Sequence, residues 1–166
     1  MKKYLISFVF TLIAVAFANA QKTPGYIPLA SFNKDTLQYL ITNFEKQKDK
    51  YIGQPIGMVF YDLELEIKGQ SRINQSPRNK NYFAGVILNF YNLSLYEKLS
   101  LQEGDVFFRE MKNYSLYIET VQPINMLDYI AVLRQANVGI HWSNNMKTFC
   151  APFIVKSIKA NGYRNR

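Results

Sequence analysis

Residues 82–91 read YFAGVILNFY, a run in which Asn89 is the one polar side chain apart from the tyrosine hydroxyls. Aromatic and β-branched residues pack well on a pleated surface, and apolarity this continuous implies cover on both faces at most positions. The stretch is expected in mid-sheet, with the rest of the chain arranged as strands beside it and helices over it.

Working outward towards the N-terminus, the polar run QSPRNKN at 75–81 reads as a long hairpin loop, and LELEIKGQSRI before it alternates. Leu65, Ile67 and Gly69 set against Glu64, Glu66 and Lys68 predict a strand with one wet face. Two helical patterns lie ahead of it. Leu37, Leu40, Ile41 and Phe44 recur at the spacing of one helix face, with Ser31 or Asn33 as cap, Asp35 near the positive end and Gly53 closing the helix. Pro55 suits the first turn of a shorter helix with apolar positions Ile56, Val59, Phe60 and Leu63. Joined around 51–54, the two make a helical hairpin able to cover one face of a sheet.

Towards the C-terminus, Leu93, Leu95, Leu99 and Leu101 fit either an edge strand or a short helix, and a turn follows at Gly104. From Tyr114 to Val121, Leu116, Ile118 and Thr120 alternate with Tyr117, Glu119 and Val121 until Pro123 stops the strand. Helical spacing returns with Met126, Leu127, Ile130, Val132 and Leu133, and ends at Asn137 and Gly139. Trp142 is expected in a loop, and PFIVKSIKA at 152–160 in a last strand. The fold class is therefore α+β. A single domain spans 33–162, with a mainly antiparallel sheet of about four strands covered by the N-terminal helical hairpin and a later helix. Residues 163–166 are a tail.

Residues 1–20, MKKYLISFVFTLIAVAFANA, have Lys2 and Lys3, an apolar run and the small-x-small site Ala18-Asn19-Ala20, which is the pattern of a secretory signal peptide. The run is shorter than the ~20 residues that span a bilayer. Export to the periplasm or medium, with cleavage after Ala20 and no transmembrane segment remaining, is the expectation. Gln21 to Phe32, broken by Pro24, Gly25 and Pro28, reads as an irregular leader along the surface. The formal charge of +8 suits acidic partners, and export argues against nucleic acid in favour of a protein, glycan or envelope component. Cys150 is the only cysteine, so packing rather than an internal disulfide must stabilise the fold. Asn-x-Ser triplets begin at Asn74, Asn92 and Asn113.

Catalytic signals are sparse. His141 and Cys150 make the sharpest pair, since a thiolate activated by an imidazole is the minimal nucleophilic couple of a small cell-envelope hydrolase. A lone cysteine between Phe149 and Ala151 reads equally as a small buried hydrophobe. Glu64 and Glu66 fall on one side of a strand, as paired acids do in glycosidases, but alternation alone accounts for them. One histidine and one cysteine do not make the clusters that hold zinc, and no cofactor motif occurs. Among basic residues, Arg72, Arg78, Lys80, Lys156 and Lys159, with Tyr163, would form one binding patch if the last strand lay beside the 72–80 segment.

The helix-turn segment YIGQPIGMVFYDL at 51–63, ahead of antiparallel strands, is similar to that of envelope-assembly lipoproteins and β-lactamase-inhibitor-like domains. The chain departs from the lipoprotein pattern by lacking a lipid-accepting cysteine after its apolar run. The reading is an exported binding domain without its own catalytic site, with the Cys150/His141 hydrolase as the alternative.

Overall fold

The structure is a computed structural model and describes residues 22–74, 81–90, 114–136 and 141–162. Strands β1 (Gly69–Asn74), β2 (Tyr82–Asn89), β3 (Ser115–Asn125) and β4 (Val155–Asn161) form one antiparallel sheet in the order β1-β2-β3-β4. With the described helices on one face, the fold is the single-domain α+β arrangement expected, and the apolar run at 82–89 is an interior strand. The segments at 75–80 and 91–113, with Arg78, Lys80, Asn92 and Asn113, and the tail with Tyr163, lie outside the described residues.

The register sorts the side chains. Gln70, Leu88, Leu116 and Ala160 form one row across the sheet and Arg72, Val86, Ile118 and Ile158 the next, both on the helix-covered face. Leu88, Val86, Leu116 and Ile118 are fully buried there, each such burial being worth about 1.5–3 kcal/mol before chain entropy is counted. The opposite face carries Ser71, Ile87, Tyr117 and Lys159 in one row. Ile87 is only partly buried, so cover on both faces does not extend to it.

Helix α1 (Thr36–Leu40) runs on into a wide π turn, Ile41–Glu45. Its cap is Asp35, whose carboxylate accepts from Gln38 N at 2.9 Å, rather than Ser31 or Asn33. Asn33 and Lys34 both have positive φ, so the chain is still turning there, and Asp35 is the nearest side chain that can reach the orphan amides. Helix α2 (Ile56–Asp62) starts directly after Pro55 and buries Ile56, Val59 and Phe60. The two cover the sheet as a hairpin and also close its far edge: Gly53 N donates to Val155 O, Val155 N to Gln54 O, and Ala160 N to Glu45 Oε2. An exposed strand edge invites foreign pairing, and here β4 is shielded by its own chain.

The leader is tied to this hairpin by polar groups. Thr23 N donates to Asp62 Oδ1 at 3.0 Å, Ile27 exchanges two hydrogen bonds with the buried Asn43 amide, and the Tyr26 and Tyr39 hydroxyls lie 3.0 Å apart. After Pro28 it forms a 3-10 turn, Leu29–Phe32.

Three elements differ from expectation. β3 does not stop at Pro123, because the register jumps from Gly85–Glu119 to Phe83–Ile124 and the residues between bulge out, where a missing N–H costs nothing. The segment after Trp142 is not a loop but helix α4 (Asn144–Cys150), capped by Ser143, whose hydroxyl accepts from Met146 N at 3.1 Å. β4 therefore begins at Val155, and Cys150 ends a helix instead of entering a strand. Finally, the expected strand at 64–74 joins the ladder only from Gly69. Residues 64–68 keep their alternation, with Leu65 and Ile67 partly buried and Glu64, Glu66 and Lys68 exposed, but form no ladder. Helix α3 (Met126–Ala136) forms as expected, although its buried anchor is Tyr129 and Leu127 is 75% exposed.

Candidate functional site

Cys150 and His141 occupy different environments. The thiol is fully buried in the core cluster with its Sγ 3.8 Å from Met146 Sδ, and burial pushes its pKa up to about 12. His141 is exposed at the other end of α4, a helix about 10 Å long at 1.5 Å per residue. A nucleophile needs thiolate near neutral pH and access, and Cys150 has neither. The two acids considered together are separately engaged: Glu64 accepts from Leu29 N at 2.9 Å and Glu66 pairs with Lys68. Among the described residues no three His, Cys, Asp or Glu side chains cluster as a metal site would need, and no helix is long and apolar enough to cross a membrane.

Among the described residues, the basic side chains Arg72, Lys156 and Lys159 do not meet in one patch. Arg72 is in β1 and Lys156 and Lys159 in β4, three strand spacings apart, roughly 14 Å. Arg72 also belongs to the helix-covered face, where its guanidinium lies 5.8 Å from the Tyr129 ring centroid, whereas Lys159 is on the opposite face. Lys156 pairs with Glu119 at 3.6 Å in the open, an interaction of little strength. Lys159, Tyr117, Ser157 and Ile73 line a shallow recess of about 320 Å³ on that second face, with Glu119 among them, so its charge is mixed rather than basic.

A larger cleft, about 480 Å³, opens where the chain was expected to be strand and loop. One wall is the segment after α2, which bends at Leu65 and contributes Leu63, Leu65, Glu66 and Ile67, beside Phe60. The other wall is Trp142 and the first turn of α4, with Ser143, Asn144 and Lys147 at the rim. Trp142 is partly exposed and meets Phe60 edge to face, ring centroids 5.5 Å apart, which fixes the indole while leaving surface for a ligand. The exposed lining is more polar than apolar, with Glu66, Ser143, Asn144 and Lys147 beside the apolar side chains, so a ligand would be held by polar contacts as well as by the indole. The walls join at one point: Gly69 bridges to His141, and Trp142 N lies 3.5 Å from Lys68 O.

Sequence reasoning missed this cleft because it ran the loop at Trp142 on to Pro152 and so passed over α4. The signal was present in Ser143 followed by Met146 and Cys150, a cap and an apolar pair one helical turn apart. No protein-family model matches the chain, and no curated protein or solved structure matches it.

Proposed function

We propose that the chain is an exported binding domain, periplasmic or secreted after cleavage at Ala20, that acts without a catalytic site of its own. Its partner is a protein, glycan or other envelope component, held in the cleft under Trp142. The observation that carries this reading is the cleft itself: a partly exposed indole braced by Phe60 above Leu63, Leu65 and Ile67. The Cys150/His141 hydrolase draws no support from a buried thiol whose pKa is pushed up to about 12. Arg72, across the sheet from Lys156 and Lys159, moves with them from the centre of the binding hypothesis to its margin.

The test is affinity capture from native envelope with the mature chain as bait, followed by mass spectrometry, with Ile67→Lys run in parallel. Recovery of a partner by the wild type and its loss in the variant supports the reading. Equal recovery by both would move the site elsewhere, and no specific recovery would remove the binding function. A chain found in the cytoplasm with residues 1–20 intact would overturn export.

A further inference from the structure

We infer that the cleft takes an extended peptide, which adds as a short strand beside Glu66 and Ile67, continuing the line of His141 and Trp142. The inference rests on the binding-domain reading above and names the partner's chemistry. Its starting point is the mismatch between a strand-patterned segment and its missing ladder. Residues 64–68 alternate apolar and charged side chains in sequence and in exposure, but the chain bends at Leu65 and pairing begins only at Gly69. Glu64 N is taken by the Tyr39 hydroxyl at 2.9 Å and Lys68 N by Asn89 O at 2.9 Å. Between them, the backbone groups of Leu65, Glu66 and Ile67 have no hydrogen bond to another described residue.

The chain itself starts the neighbouring strand and then leaves it. His141 bridges antiparallel to Gly69 and Trp142 N approaches Lys68 O, so the next residue in that line would stand opposite Ile67. At that point Ser143 caps α4 and the backbone turns away, opening the cleft. A second backbone entering there would take up the line that His141 and Trp142 begin, supplying partners for those backbone groups of Glu66 and Ile67 that face the cleft. Main-chain bonding of this kind gives affinity, and pockets for alternate side chains give selectivity. Leu65 and Ile67 on one wall and Trp142 on the other would meet apolar side chains at every second peptide position. At the other sheet edge the helical hairpin already bonds to Val155 and Ala160. A glycan would use the indole face and the rim but leaves the 65–67 backbone groups without a matching repeat.

The probe is a tryptophan-free random dodecapeptide library displayed on phage and selected on the mature chain, with enriched sequences synthesised. Trp142 is the only tryptophan, so its emission reports the cleft directly. Each peptide is then N-methylated at every second amide, in both possible frames, since a strand uses the amides of one edge only. The expected result is a change in Trp142 emission on binding, with one frame weakening affinity by about tenfold or more and the other leaving it within about twofold. Tolerance of both frames would overturn strand addition. So would selection of no peptide while envelope capture still depends on Ile67, or while N-acetylglucosamine oligomers shift Trp142 emission; those results leave the binding-domain reading standing. Failure of peptides, oligosaccharides and envelope capture together would overturn both.

Discussion

The Tyr51 hydroxyl donates to Asp62 Oδ2 at 2.9 Å with both residues buried, while Asp62 Oδ1 accepts from Thr23 N at 3.0 Å. One carboxylate thus joins the leader, the turn between the two helices and the last residue of α2. Burial, and then the bond to Asp62, holds the Tyr51 hydroxyl well above the ordinary phenol range.

Asp62→Ala leaves a buried hydroxyl and a backbone amide without their acceptor, and each orphan costs about 1–3 kcal/mol. We expect a loss of about 2–4 kcal/mol in denaturant melts, with faster proteolytic cutting in residues 22–28. Asp62→Asn, which keeps one acceptor oxygen, should lose less than Asp62→Ala.

In β2 the two faces should respond differently. Leu88→Ala removes a fully buried side chain from the helix-covered face and should cost about 2–5 kcal/mol. Ile87 faces the other way and is partly exposed, so Ile87→Ala should cost clearly less in the same melts. Equal costs would mean that both faces of this strand are equally packed.

Gly85 lies so close to β3 that a Cβ at this position would stand 2.0 Å from Ile118 O and 2.7 Å from Glu119 Cα. Backbone cannot yield as a flexible side chain does. Gly85→Ala should therefore destabilise by at least about 1–3 kcal/mol, the range for overpacking, although alanine is ordinarily well tolerated in place of glycine. An unchanged melting midpoint would contradict the close approach.

Cys150 should resist alkylation in the native protein at neutral pH and react only as the fold opens. Its pKa is raised from 9.0 to about 12, so between those values the unfolded chain has lost the thiol proton that the folded chain keeps. Stability then falls as pH rises through this window. Buried Tyr51, Tyr39 and Tyr129, all raised by burial, act in the same direction. Cys150→Ala should flatten the alkaline fall while lowering stability at neutral pH only modestly, as melts near about pH 8 and 10 will show. Fast modification at neutral pH, suppressed by His141→Ala, would restore the hydrolase reading.

Periodicity made most of the fold legible: the central strand, the helical hairpin with Ile56, Val59 and Phe60 inward, and α3 were each visible as a repeat of apolar positions. Where a local signal met a tertiary one, the sequence misled. Pro123 ends a regular strand but not a bulged one, and the bulge depends on register with β2. The alternation at 64–68 describes a strand, yet a ladder also needs a neighbour, which the pattern of one segment cannot supply. The candidate site suffered most. Arg72 and Lys159 are both basic and both in strands, but strand order and face, which separate them, are not written in either segment. The tyrosines divide, Tyr39, Tyr51 and Tyr129 being buried while Tyr82 is exposed.

Amide hydrogen exchange on the mature chain, alone and loaded with its captured envelope partner, tests the central claim most directly. If the cleft is the binding surface, protection rises at residues 64–67 and 142–147 and stays unchanged along the row of Ser71, Ile87, Tyr117 and Lys159 on the opposite sheet face. Protection gained on that row, with 64–67 exchanging as freely as before, would contradict it.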